Sequence, residues 1–147
     1  MTYPLHVILR FEIESKLING ELEAAEIPDA WDDRMKKYLG ISTAGNYADG
    51  CLQDIHWTDG SFGYFPSYTL GALNSAQLAA AVKRAHADWD ERLGRGDLTF
   101  VHDWLKDKIW SKASSLDSQE IIRLATGEGT NPGWFLAHLR ERYILEE

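Results

Sequence analysis

From Pro4 to Asn19 the apolar residues Leu5, Ile8, Leu9, Phe11, Ile13 and Leu17 return mostly at steps of three and four. That period predicts an α-helix, with Pro4 near its opening and Gly20 placed to end it. Pro28 opens a second stretch in which Ala30, Trp31, Met35, Tyr38 and Leu39 share a face until Gly40. Residues 42–50 are rich in turn formers, and Gly50 to Trp57 reads as the end of a short helix. Thr58 to Gly63 holds two glycines and an Asp within six residues and predicts a loop.

The longest helical candidate runs from Pro66 to about Ala87, where Gly71 and many alanines leave a slim surface for another helix to approach. After a break at Gly94-Arg95-Gly96, Asp97 is placed to cap a helix carrying Leu98, Val101, Trp104, Leu105 and Ile109. Asp117 and Glu120 have capping-box spacing before Ile121, Ile122 and Leu124, and Gly127 stops that helix. Asn131-Pro132 supplies an N-cap and a first-turn proline for a last helix through Trp134, Phe135, Leu136, Leu139 and Tyr143. No stretch alternates with a period of two for the length of a strand. The pattern predicts an all-α protein, a single helical domain over residues 1–147. Leu9, Trp31, Trp104, Leu105, Trp134 and Phe135 are its expected core.

Composition narrows the function classes. Acidic residues outnumber Lys and Arg by 23 to 15, a net charge of −8, so no broad positive field exists for nucleic acid or an anionic membrane. No apolar run approaches the roughly 20 residues of a membrane span, and Met1 to Pro4 does not begin a signal peptide. The one cysteine, Cys51, excludes an internal disulfide framework and suits a reducing compartment, so a cytoplasmic location is expected.

The five histidines, His6, His56, His86, His102 and His138, do not make a zinc signature. No two lie three or four residues apart, and H-E-x-x-H does not occur. His86, His102 and His138 read as solvated or half-buried helix residues, and His6 as a packing or polar-face residue. Walker, G-x-G-x-x-G and G-x-S-x-G motifs are also missing. The stretch from Gln53 to Tyr68 stands apart, packing Gln53, Asp54, His56, Trp57, Asp59, Tyr64 and Tyr68 around Gly60 and Gly63. Neutral donors, an imidazole and aromatic walls suit a surface that grips a substrate and stabilises an oxyanion. By themselves the same residues favour a loop tied down by its own polar groups, with aromatics plugging the core.

The string from Gly50 to Trp57 fits G-x-x-Q-D-x-H-W. Together with Gly60-Ser61-Phe62-Gly63-Tyr64-Phe65-Pro66 it resembles the carboxypeptidase Taq family of metallocarboxypeptidases. The resemblance continues upstream through Thr2 to Glu14, and downstream through Leu124-Ala125-Thr126-Gly127-Glu128 and the Phe135 to Tyr143 helix. It implies a helical array corresponding to the C-terminal part of a larger zincin-like peptidase, in a family that removes C-terminal amino acids from peptides. Zinc or another divalent metal is implied for the complete enzyme and none for this chain. The family's H-P-F, H-E-x-x-H and I-R-x-x-A-D motifs do not occur here. The chain begins where the residues after I-R-x-x-A-D would be, so a C-terminal portion is expected, inactive alone.

By the same resemblance His56 and Tyr68, or Tyr64, are the candidate catalytic donors. Tyr68 is preferred because related helical zinc peptidases place a Tyr about three turns beyond such a His. Gln53, Asp54 and Trp57 are the candidates for substrate binding or for supporting the donors, Gln53 and Asp54 by orienting the loop or fixing the His tautomer. Arg10 is given no carboxylate-binding role, which the resemblance reserves for I-R-x-x-A-D. Partners implied are peptide C-termini and a second copy of the chain; a separate zinc-bearing chain and a non-enzymatic helical interaction module are the alternatives. Trp57, Phe62, Tyr64 and Phe65 are expected to form an exposed apolar patch that drives association.

Overall fold

A computed structural model describes residues 2–144. Among them every regular element is helical: α1 (Tyr3–Ile18), α2 (Ile27–Leu39), α3 (Pro66–Ala85), α4 (Trp89–Gly94), α5 (Thr99–Lys108), α6 (Ser118–Thr126) and α7 (Pro132–Tyr143), with 3₁₀ turns at Ala24–Glu26 and Trp110–Lys112. The all-α expectation holds. The backbone groups into two compact units, Met1–Thr69 and Leu70–Glu147.

In the first unit α1 and α2 pack on each other around Leu9, Ile13, Trp31, Met35 and Cys51, ringed by half-buried Leu17, Ile27, Tyr38 and Trp57. Gly20 and Gly40, at φ +71° and +69°, occupy the left-handed conformation that costs an L side chain most, so each ends its helix as its position predicts. Polar links fix the helix pair: the Tyr38 hydroxyl and Arg34 Nε donate to Glu12 at 2.6 and 3.0 Å. Asp32, buried at the end of this pair, accepts from Thr43 N at 2.6 Å and Ser42 Oγ at 2.9 Å. Lys36 Nζ at 2.5 Å, and then those bonds, hold the pKa of its carboxyl at about 2.

Residues 50–57 differ from expectation. They form consecutive turns, with Leu52 N–H donating to Tyr47 O and Gln53 N–H to Gly50 O. Leu52 and Ile55, which lend the stretch its helical look, are 64% and 73% exposed. The helix is replaced because the segment is secured by side chains, Cys51 in the core and the Gln53 amide on the Asp49 and Gly50 carbonyls at 3.0 Å.

In the second unit the buried residues include Gln77, Ala81, Val82, Phe100 and Ile122. Trp104, Leu105, Trp134 and Phe135, expected as core, are half-buried. Phe100 meets His86, Trp89 and the Arg92 guanidinium at 5.0, 5.6 and 4.3 Å. Asp97 does receive Thr99 N–H at 2.9 Å at the start of α5, and Asp117 and Asn131 cap α6 and α7 through Glu120 N–H and Gly133 N–H. A Cβ at Gly71 would meet nothing within 4 Å, so the close approach expected of a neighbouring helix does not occur at that position. The loop between α6 and α7 is held by the Gln77 amide: Nε2 donates to Thr126 Oγ1, Glu128 O and Gly129 O, and Oε1 accepts from Asn131 N–H at 2.8 Å.

Candidate functional site

An open cleft of about 330 Å³ in the first unit is lined by α1, the turns of residues 53–56 and the first turn of α3. The singled-out residues His56, Tyr68, Gln53 and Asp54 meet there, joined by Tyr3, His6 and Arg10. His56 Nε2 lies 3.1 Å from the Tyr68 hydroxyl. His56 Nδ1 is buried without a protein partner. A buried N–H without an acceptor is costlier than a buried lone pair, which favours the tautomer protonated at Nε2. His56 then donates to Tyr68 Oη, leaving the phenolic proton free to point elsewhere. Tyr68 is held above the ordinary phenol pKa by burial, with Tyr64, Tyr3 and Asp54 adding to the rise. It keeps its proton near neutral pH and remains a donor.

The aromatic frame is continuous. The His56 ring lies 4.5 Å from Phe65 and stacks on Tyr64 at 5.8 Å, and Tyr64 and Tyr3 meet Tyr68 edge-on at 5.3 and 6.2 Å. Tyr64, about half exposed, forms an outer wall and does not line the cleft itself. Trp57 faces the other way. Its ring meets Trp31 edge-on in the core and its indole N–H donates to Glu14 Oε1 at 2.8 Å, so it anchors the loop.

Neither Gln53 nor Asp54 hydrogen-bonds His56. The Gln53 amide ties down the preceding turn, and Asp54 Oδ2 accepts from Arg10 Nε at 2.7 Å and Nη2 at 2.5 Å. Arg10 is itself buried, donates to His6 O at 2.8 Å, and lays its guanidinium 4.6 Å from Trp31 and 5.2 Å from Phe65. With its charge engaged by Asp54, it forms the cleft floor. Burial and then the Arg10 charge push the His6 imidazole below its ordinary pKa, with Asp54 opposing. His6 therefore sits neutral in the cleft wall. The readable sign of this polar wall was the recurrence of His6, Arg10 and Glu14 at steps of four along an otherwise apolar helix.

The family model of the carboxypeptidase Taq (M32) metallopeptidases matches residues 1–143. The chain belongs to that family. It is 38% identical to carboxypeptidase 1 of Bacillus subtilis over 97% of its length and 37% identical to thermostable carboxypeptidase 1 of Pyrococcus furiosus over 98%. The solved structure of Trypanosoma cruzi metallocarboxypeptidase 1 superposes with a TM-score of 0.92 at 48% identity, covering 96% of this chain. The chain spans only 28–30% of the length of these three M32 proteins and corresponds to a C-terminal part of the family.

Membership in a metallopeptidase family implies a metal ion, and the donor set here does not fit one. Among the described residues no three His, Cys, Asp or Glu side chains gather as a ligand group. His6 and His56 share the cleft, but the carboxylate that lines it with them, Asp54, is engaged by Arg10. What the cleft does present is hydrogen-bond donors and aromatic walls.

Proposed function

We propose that this chain forms the substrate-gripping wall of an M32 metallocarboxypeptidase, with Tyr68 donating to the oxygen that gains charge as the peptide carbonyl is attacked. The observation that carries this reading is the 3.1 Å bond between His56 Nε2 and the Tyr68 hydroxyl in the wall of the cleft. His56 donates to Oη, stabilises charge that Tyr68 shares with the developing oxyanion, and aims the phenolic proton outward. Fixed donors of this kind act in the transition state without reorganising, and removing one typically costs about 2.7–4 kcal/mol. Tyr64 and Tyr3 supply apolar walls, and Gln53 keeps the loop in place.

The attacking water and the divalent ion, zinc or another, are assigned to residues outside this chain, which is inactive alone under this reading. Activity then requires the remaining part of the family fold; a separate zinc-bearing chain is one way to supply it. A second copy of the chain is the other proposed partner, and a lone buried thiol suits the reducing cytoplasm.

The test mixes this chain with a second chain carrying the rest of an M32 relative and follows release of C-terminal amino acids from peptides. Activity in the mixture only, with His56→Ala and Tyr68→Phe each lowering kcat by roughly 10²–10³ and moving KM less, supports the proposal. Equal turnover by both variants and the parent refutes it.

A further inference from the structure

His56 lies between two anchors that come from one face of α1. Two residues before it Asp54 is gripped by Arg10, and immediately after it Trp57 is held by Glu14. Arg10 and Glu14 are four residues apart, hence one above the other on the helix, and both are buried. Glu14 Oε2 also accepts Gly63 N–H at 3.2 Å, which fixes the far end of the loop. Behind the imidazole runs a stack of Trp31, the Arg10 guanidinium, Phe65 and His56, with successive spacings of 4.6, 5.2 and 4.5 Å.

Arg10 reaches His56 by two routes, through the chain via Asp54 and through space via Phe65. With Arg10 buried and Asp54 half-buried, the ion pair is a poor source of stability, because desolvation offsets its attraction and a well-packed apolar pair often does as well. Its geometric value is different. Nε and Nη2 of the planar guanidinium fork both meet Asp54 Oδ2, and two donors on one rigid group fix where that oxygen lies, which a single ammonium or an apolar contact does not.

We propose that Arg10 is a positioning residue: through Asp54 and Phe65 it sets the His56 ring so that Nε2 meets the Tyr68 hydroxyl. This deepens the proposed role of His56 and Tyr68 and rests on it for its functional meaning. It predicts that the orientation of His56 and the stability of the fold can be separated.

The test uses the whole chain with ¹⁵N-labelled histidine, at a pH where the imidazoles are neutral. In the parent the two His56 ring nitrogens are expected to resonate far apart, as one tautomer does. In the apolar exchange Arg10→Met with Asp54→Leu, the urea midpoint should stay near that of the parent. The separation of the His56 nitrogen shifts should fall by about half or more as both tautomers populate. Arg10→Lys, which keeps the charge and loses the fork, should fall between. Unchanged His56 signals in a folded double variant overturn the proposal, since the pair would then be packing alone. Should the double variant not fold, Asp54→Asn decides. A folded Asn variant with collapsed His56 shift separation supports positioning, whereas unchanged signals, or failure of this variant to fold as well, overturn it. None of these readings needs enzymatic activity. Collapse of the His56 shifts beside full turnover by His56→Ala in the mixed enzyme would therefore reject the proposed function and leave the positioning intact.

Discussion

Replacing Gln77 by Leu keeps roughly the shape of a fully buried side chain and removes the amide that holds the α6–α7 loop. Four contacts depend on that amide: donation to Thr126 Oγ1, Glu128 O and Gly129 O at 2.7, 3.2 and 3.0 Å, and acceptance from Asn131 N–H at 2.8 Å. The Thr126 hydroxyl retains Ile122 O and Glu128 O as acceptors and loses least. Gly129 and Asn131 are only half-buried, so water reaches part of what is freed. A buried group stranded without a partner costs about 1–3 kcal/mol. With two groups left short and the leucine's added apolar contact in opposition, a net loss of about 2–4 kcal/mol follows.

The same loop supplies its own control. Gln119 braces Thr130 through both ends of its amide, Nε2 to Oγ1 at 2.9 Å and Oε1 from Thr130 N–H at 3.1 Å, but it is exposed. Gln119→Leu should cost about 1 kcal/mol or less, because water replaces what is lost. Urea unfolding followed by circular dichroism measures both, and amide exchange at Asn131 localises the effect. Equal losses for the two variants, or a loss below about 0.5 kcal/mol for Gln77→Leu, would refute the claim that burial of the amide makes it costly to remove.

Asp117→Ala removes the acceptor of Glu120 N–H and should cost about 1 kcal/mol, read as a lower urea midpoint and faster amide exchange at the start of α6. Asp32 has a folded pKa near 2, well below its ordinary 3.8, so its contribution is full above that ordinary value. The contribution fades as pH falls from about 4 toward 2; Asp32→Asn should flatten stability across that window, and an unchanged acid limb would contradict the bonding described. Association should run through the outer aromatics Tyr3, Phe62 and Tyr64, which are 54%, 43% and 51% exposed. Light scattering is expected to give a mass at or above twice 16.7 kDa, and Phe62→Ser with Tyr64→Ser should lower it.

The helices with chemical punctuation were legible in the sequence. Gly20, Gly40, Gly127, Asp117 and Asn131 act through their own backbone or side chain within a few residues, so local chemistry places the ends of α1, α2, α6 and α7. What depended on distant partners was not legible. Phe65 and Trp57 look like surface aromatics in a glycine-rich loop, yet Phe65 is buried and Trp57 half-buried. Trp57 is set by Glu14, 43 positions away, and Phe65 lies over Arg10. The exposed patch expected there therefore shrinks to Phe62 and Tyr64, joined by Tyr3. The short α4 carries too few turns for a hydrophobic period to show. In the candidate site, His56, Tyr68, Gln53 and Asp54 do share one cleft, but Asp54 turned out to serve Arg10. No spacing in the loop itself announces a partner on α1.

Cys51 carries a consequence for anyone studying this molecule. Its thiol is buried among Leu9, Ile13, Trp31 and Met35, and burial raises its pKa, so the reactive thiolate is suppressed twice over in the folded state. It is also the sole thiol of the chain and belongs to the first compact unit. Its modification by a soluble reagent therefore becomes a clock for the opening of that unit alone, with no label to attach. Under a reagent excess that outpaces reclosing, the labelling rate is the opening rate; under a slower reagent it is the opening equilibrium.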